Sequence, residues 1–326
     1  MRVCLMVEGQ EDVTWDQWLA LAQACQKSGL EGLFRSDHYL SVQGRTNRGS
    51  LDAWATLAAL AQASQGIRLG TMVSPVTFRH PSVLAKMVVT VDHVSGGRAE
   101  LGIGAGWLEA EHRVYGFPFP GPEARLEMLE EQIEIVRRSW DPGPFDFTGR
   151  HYRVEGLDAW PKPRQQPHPN LIVGGSGGRR SARVAARWAD EYNTVFAPPD
   201  QCRTRRQRVA DACAEEGRDP AGVVFSLMTG AVVGRDDDEL RRRARAAMDR
   251  AGETGSADAW LAARGPELVT GTVEQAVEQL RRFEASGVQR VMLQHLQHDD
   301  LDMVHVLGQV AALVADPEGD VSAGRR

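Results

Sequence analysis

Short apolar runs alternate along the chain with longer segments whose apolar residues recur every three or four positions. The short runs are almost continuously hydrophobic, which is typical of parallel strands that are buried on both faces. They predict eight strands, at residues 2–7, 30–36, 67–73, 99–104, 170–175, 190–195, 223–233 and 288–295.

The longer segments predict helices between these strands. The first helix has a capping-box pair, Thr14 and Gln17, at its start and Gly29 at its end. Further helices are predicted at about 51–64, 81–93, 123–140, 178–188, 200–216, 236–251, 273–286 and 301–314. This alternation predicts an α/β fold, a closed (β/α)8 TIM barrel. The alternative, an open doubly wound sheet, would carry a glycine-rich fingerprint after the first strand, and the sequence EGQEDVTW there has none.

One domain is predicted over residues 1–316, with two excursions from the alternating pattern. Residues 141–169 contain turn residues and two short alternating runs, which favour an insertion with a hairpin. Residues 252–272 are glycine-rich and predict a lid or an extra helix. Residues 317–326 are small and polar, which predicts a flexible tail.

The chain of 326 residues has a formal net charge of −6, which argues against a nucleic-acid partner because phosphate backbones bind to basic faces. The basic runs at 203–208 and 241–245 could form such a face, but they lie on predicted helices that also carry acidic residues, which favours solvated surfaces. The four cysteines lack metal-ligand spacing and predict buried thiols in a reducing compartment. The apolar runs are too short to cross a bilayer. We expect a cytoplasmic protein with no metal site and no membrane partner.

Polar residues and glycines are concentrated where the predicted strands end. In a TIM barrel the ligand site is built at these carboxyl ends. The candidate site residues at these positions are Glu8, Asp37, His38, Ser74, Gly104, Ala105, Gly106, Trp107, Gly174, Gly175, Ser176, Gly177, Gly178 and Gln294. They predict a pocket at one end of the barrel.

Two glycine-rich segments carry the most specific chemistry. In LIVGGSGGRRSA a strand enters a glycine turn and then a helix that starts with Arg179 and Arg180, so the free amides of the first turn predict a phosphate cradle. The alternative is a tight turn that needs a positive φ. In SGGRAELGIGAGW, the glycines at 102, 104 and 106 would leave one strand face open to a flat ligand beside Trp107. A glycine-eased barrel corner is the alternative there.

His38 is the candidate proton donor or acceptor, because it follows the second strand and histidine titrates near neutral pH. The alternative is a hydrogen bond that anchors the loop 39–50. From these residues alone both roles stay open.

The segments LFRSDHYL (33–40), LGTMVSPVTFRHPSVLAKMVVTVDHVSGGRAELGIGAGW (69–107), FTGRHYRVEG (147–156) and LIVGGSGGRRSARVAARWADEYN (171–193) together resemble the luciferase-like flavin-dependent family. The likeness is greatest to its deazaflavin-dependent oxidoreductases. It implies a TIM barrel, commonly dimeric, with an insertion after the fourth strand-helix unit. It also implies a non-prolyl cis peptide at Met72 and Val73 that backs the redox ring.

The resemblance also assigns expected roles. It implies that Asp37 and His38 lie beside the ring, that Gly104–Trp107 hold its edge, and that Gly174–Gly178 hold the phosphate. We count Ser74 and Arg179 with the cofactor-binding residues, and expect Glu8, Trp107 and Gln294 to face the substrate. Sugar-phosphate dehydrogenases of the family have a glutamate at the position of Trp107, which points here to a planar or hydrophobic substrate instead.

The implied function is hydride transfer between the deazaflavin coenzyme F420 and a small organic substrate. The first alternative is an FMN-dependent monooxygenase, which would receive reduced flavin from a separate reductase. The second alternative, of another class, is a non-catalytic flavin-binding protein. A homodimer is expected in each case.

Overall fold

The computed structural model describes residues 1–45, 47–265 and 268–316. Its strands are β1 Arg2–Val7, β2 Gly32–Arg35, β3 Arg68–Thr71, β4 Ser74–Pro75, β5 Ala99–Gly104, β6 Phe145–Thr148, β7 Arg153–Leu157, β8 Asn170–Gly174, β9 Glu191–Val195, β10 Val224–Gly234, β11 Val269–Thr272 and β12 Arg290–His295. Its helices are α1 Trp15–Lys27, α2 Ala53–Ala63, α3 Pro81–Ser95, α4 Glu109–Tyr115, α5 Pro122–Trp140, α6 Arg179–Trp188, α7 Pro199–Glu215, α8 Asp237–Ala251, α9 Ala257–Arg264, α10 Val273–Ala285 and α11 Leu301–Ala315.

Eight parallel strands form a closed barrel, which confirms the predicted TIM fold. They pair in the order β1, β2, β3, β5, β8, β9, β10 and β12, and β12 pairs with β1 to close the sheet. The capping box of α1 is present: the Gln17 amide donates to Thr14 Oγ1 at 3.3 Å, and the Thr14 amide donates to Gln17 Oε1 at 2.9 Å. No helix among the described residues is long and apolar enough to cross a membrane.

Side chains that alternate along the strands fill two main cores, and a third cluster, around Val232, Leu240 and Trp260, joins β10 to α8 and α9. The larger core lies between the strands and the surrounding helices and includes Trp18 and Trp54. The smaller core fills the barrel itself and is rich in sulfur: Cys4, Met6, Phe34, Met72, Ile172, Met228 and Met292. These side chains therefore fill the interior of the barrel below the carboxyl ends of the strands.

An ion network closes the lower end of the barrel, where the strands begin. Arg290 donates to Glu31 at 2.7 Å, to Glu191 at 2.9 Å and to both oxygens of Glu100 at 2.7 and 3.1 Å. Arg68 also donates to Glu100. Burial would raise the pKa of Glu100, but the two arginines lower it to about 2. Burial dominates for Glu191, whose pKa is raised.

The excursions contain regular elements. The hairpin predicted in 141–169 is β6 with β7. The segment 252–272 contains α9, which is an extra helix, and also β11, which was not predicted and which pairs with the end of β10. The strand predicted at 67–73 ends earlier, as β3, and β4 follows it after the Met72–Val73 peptide, which is cis as the resemblance implied. The predicted tail, 317–326, lies outside the described residues.

Candidate active site

A cavity of about 820 Å³ opens at the upper end of the barrel, where the strands end. Most of the residues expected at the site line it: Glu8, His38, Met72, Val73, Gly104, Ala105, Gly106, Trp107, Gly174, Gly175, Ser176, Gly178 and Gln294. Four others do not line it, namely Asp37, Ser74, Gly177 and Arg179. The two glycine segments thus meet at one cavity although they are about seventy residues apart in the chain.

His38 is held by a buried carboxylate. Its Nδ1 donates to Glu111 Oε2 at 2.8 Å, and the side chain of Glu111 is fully buried. The other oxygen of Glu111 accepts from the backbone amides of Tyr39 and Leu40. Burial would lower the pKa of His38, but the hydrogen bond and the charge of Glu111 outweigh it, so that this pKa is raised. Because Nδ1 is engaged, Nε2 is the nitrogen that can exchange a proton.

Asp37 lies behind the cavity wall and fixes the backbone next to His38. It accepts from Arg79 Nη1 at 2.5 Å and Nη2 at 3.2 Å, and from Ser74 Oγ at 2.6 Å. Arg79 Nη2 also donates to Asp52 Oδ2 at 2.8 Å. Asp37 and Ser74 therefore act from behind the wall, with no surface in the cavity.

The glycines of β5 make room for the protein's own backbone, which corrects the expectation of a strand face open to a ligand. A Cβ on Gly102 would collide with the carbonyl oxygen of Thr71, and one on Gly104 would lie 2.7 Å from Val73 Cγ2. The third strand bulges into this space. Val73 then forms the cavity wall. The alternative explanation, that the glycines let the barrel backbone pack closely, therefore applies to Gly102 and Gly104.

The second glycine segment joins β8 to α6. The Gly175 amide donates to Asn193 O at 3.0 Å, and the Gly177 amide donates to the Tyr192 hydroxyl at 2.8 Å. Gly177 has a φ of 80° and packs against the side chain of Arg205. These contacts are those of the tight turn. The first-turn amides of α6, which follow the N-cap Gly178, have no partner within the helix and border the cavity.

Arginines surround this turn. Arg180 lines the cavity and pairs with Glu130 at 3.1 Å, whereas Arg179 is exposed beside it. Arg208 donates to Gly177 O at 2.9 Å, and Arg205 donates to Thr194 at 2.6 Å. The helix dipole and the three guanidinium groups without a carboxylate partner, those of Arg179, Arg205 and Arg208, make this edge of the cavity positive.

The opposite side of the cavity carries a carboxylate. Glu8 accepts from Gln294, and its other oxygen accepts from Gln10 at 2.6 Å. Trp107, with an exposed fraction of 62%, stands at the opening, and its ring centre lies 5.7 Å from that of His38. Glu8, Trp107 and Gln294 therefore share one side of the cavity with His38.

Three residues of the site were missed from the sequence. Glu111 lies on α4, a short helix that was not predicted although Gly116 ends it in the left-handed conformation. Arg79 and Asn193 belong to the site through contacts with residues far away in the sequence, Asp37 and Ser226, which no local pattern indicates. Among the described residues, no group of three or more His, Cys, Asp or Glu side chains could hold a metal ion.

Comparison with known proteins supports the same reading of the fold. Pyrimidine monooxygenase RutA of Stutzerimonas stutzeri (strain A1501) is 30% identical over 223 residues, 66% of this chain and 59% of that protein. FMNH(2)-dependent dimethylsulfone monooxygenase of Pseudomonas putida is 31% identical over 175 residues, 53% of this chain and 47% of that protein. The chain spans about half the length of the curated relatives that it matches.

A solved structure has the same fold. The F420-dependent secondary alcohol dehydrogenase, in complex with an F420-acetone adduct, superposes with a TM-score of 0.81 at 20% identity, covering 97% of this chain and 99% of that chain. The profile of the family described as luciferase-like monooxygenase matches residues 3–290. Because that match covers most of the sequence, the chain belongs to the luciferase-like monooxygenase family.

Proposed function

We propose that this protein is an oxidoreductase that uses the deazaflavin coenzyme F420 to transfer a hydride to or from a small organic substrate. The observation that carries the proposal is the pairing of a largely apolar cavity of about 820 Å³ with a positive edge at the start of α6. A cavity of this size accepts a tricyclic ring and leaves room for a substrate. The first-turn amides of α6 suit the phosphate.

The arginines at this edge favour F420 over FMN. FMN ends at its phosphate, whereas F420 continues beyond it into a chain of carboxylates. Arg180 is paired with Glu130, but Arg179 on α6 and Arg205 and Arg208 on α7 have no carboxylate partner among the described residues and carry more positive charge than one phosphate requires. Charge-assisted contacts to the carboxylates would use this excess.

When bound, the cofactor supplies the hydride chemistry, and this chain's residues supply position, exclusion of water and a proton. Val73 and Gly104 form a wall against which a flat ring can lie. In its protonated form, His38 carries a proton on Nε2 next to the cavity, and Glu111 favours this form because it raises the pKa of His38. Glu111 keeps a proton on Nδ1 and fixes the orientation of the ring, so that Nε2 is the nitrogen that gains and loses a proton.

The alternative is an FMN-dependent monooxygenase supplied by a separate flavin reductase. The two monooxygenase relatives favour it, because each is at least 30% identical to this chain over its matched segment. The same cavity and helix start would hold FMN, and the arginines beyond the phosphate would then lack a ligand.

Titration of the protein with oxidised F420 and, separately, with oxidised FMN tests the choice. Trp107 stands at the cavity opening, so binding should quench tryptophan fluorescence. We expect the tighter binding with F420, and an Arg179→Gln/Arg205→Gln variant should lose affinity for F420 and keep most of its affinity for FMN. Tight FMN binding without a response to F420 would establish the alternative.

A further inference from the structure

One polar group at the base of the cavity has no partner. Asn193 faces the barrel interior from β9, is completely buried and lines the cavity. Within the described part of the chain, its Oδ1 accepts no hydrogen bond. Buried amide oxygens are nearly always satisfied in folded proteins, so an unsatisfied one on a cavity wall indicates a ligand or a water molecule.

The neighbours of Asn193 determine which of its ends is free. Nδ2 donates to Ser226 Oγ at 2.9 Å and faces Met292 Sδ at 3.5 Å. Ser226 directs its own hydrogen to the Tyr192 carbonyl at 3.5 Å, and a thioether sulfur has no hydrogen to give. Both neighbours therefore act as acceptors for Nδ2, which leaves Oδ1 as the acceptor without a donor.

The strand register explains why no protein group reaches Oδ1. Asn193 is level with Ser226 on β10 and with Gly174 on β8. Ser226 occupies the amide nitrogen, and Gly174 has no side chain. The residues around this level of the barrel, such as Met228 and Ile172, carry no donor. The missing donor must come from within the cavity.

We infer that Asn193 Oδ1 accepts the imide N–H of the pyrimidinedione half of the redox ring, so that this edge of the ring enters the barrel first. The inference rests on the proposed function, because it requires a flavin-type ring in the cavity. FMN and F420 share this imide, so the inference is independent of the choice between them. An uncharged N–H suits the site, because the surrounding side chains could not compensate a charge.

Methylation of the imide nitrogen provides the test. The probes are the dephosphorylated deazaflavin core and its N3-methyl derivative, with dissociation constants measured by fluorescence. The wild type should bind the unmethylated core about tenfold more tightly, as expected for one buried hydrogen bond. Asn193→Leu should weaken binding of the unmethylated core about tenfold and change binding of the methylated core less than twofold, which removes the preference.

Thr194→Val is the matched control, because Thr194 is the next residue of β9, is buried and bonds to Arg205 outside the barrel. It should keep the wild-type preference. If the wild type and Asn193→Leu prefer the unmethylated core over the methylated core to the same extent, the inference is overturned and the proposed function is not. Failure of the wild type to bind either core would overturn the proposed function and the inference with it.

A measurement on the wild type covers the case in which Asn193→Leu does not fold. With a ring labelled with 15N at the imide, the bound N–H proton should be shifted downfield and exchange slowly with water. A bound ring whose imide proton exchanges as fast as in free solution would contradict the inference.

Discussion

The two ends of the barrel bury polar side chains in different ways. At the lower end, Arg290 and Arg68 face the carboxylates of Glu31, Glu100 and Glu191, so charge is compensated inside the protein. At the upper end, Asn193 Oδ1 and the first-turn amides of α6 have no partner within the part of the chain that the structure describes, and they border an open cavity. One strand pattern thus produces a closed end, which stabilises the fold, and an open end, which has hydrogen-bonding capacity left for a ligand.

Arg290→Met should show the largest effect and break the lower end. Removing the guanidinium leaves Glu100 and Glu191 buried without their main counter-charge, so we expect the free energy of unfolding to fall by about 3–5 kcal/mol. Urea denaturation measures it. Arg180→Met is the control at the upper end, where the partly exposed pair with Glu130 contributes at most about 1 kcal/mol. Equal losses in the two variants would contradict the division between the ends.

His38→Ala should cause a large loss of turnover and a smaller loss of stability than Arg290→Met. A planar quinone such as menadione serves as hydride acceptor for the reduced deazaflavin, and reoxidation of the cofactor is followed by absorbance. We expect the rate to fall about 100-fold, the usual contribution of a positioned proton donor. Glu111 Oε1 keeps two backbone amides but the buried Oε2 loses the imidazole, so the free energy of unfolding should fall by about 1–3 kcal/mol, less than in Arg290→Met. A wild-type rate no higher than that of the free reduced cofactor, unchanged in His38→Ala with intact cofactor binding, would favour the non-catalytic flavin-binding protein.

Glu111→Gln should have a smaller effect, which appears in the pH profile. Glu111 raises the pKa of His38, so its neutral analogue should shift the pH dependence of the quinone assay to lower pH. Glu130→Gln is the control, because Glu130 is a partly exposed carboxylate of α5 that pairs with Arg180 and does not contact His38. A uniform drop in rate at every pH, without a shift, would mean that Glu111 only supports the fold locally.

The sequence predicted the barrel, and most of the residues that it placed at the site line the cavity, because both follow from local patterns. Apolar runs locate strands, and glycine-rich strand ends locate the mouth. The sequence did not predict the side-chain pairings at either end of the barrel. Arg290 meets Glu100 across 190 residues, and Glu111 meets His38 across 73. Nothing in either local sequence indicates its partner.

The glycines of β5 also show what the sequence could not predict. The sequence correctly indicated a close approach at Gly102 and Gly104, but not what approaches. The neighbour is Val73 and the bulge of the third strand, and a bulge at residue 72 leaves no separate periodic signal in a continuous apolar run. A glycine pattern therefore indicates that space is needed and leaves its occupant undetermined.

The smallest effect expected is a pH dependence of stability that belongs to the upper end. The folded-state pKa of His38 is raised, so its protonated form stabilises the fold below its unfolded pKa of about 6.5, and this contribution is lost as the pH rises through the folded pKa. His295 and His298 act in the opposite sense, because burial lowers their pKa to about 4 and stability falls as they are forced to protonate. The informative quantity is therefore the difference between the wild type and His38→Gln. Urea denaturation at pH 6 and pH 9 should give a larger difference at pH 6, and a difference that does not change with pH would show that the ion pair with Glu111 adds nothing to the folded state.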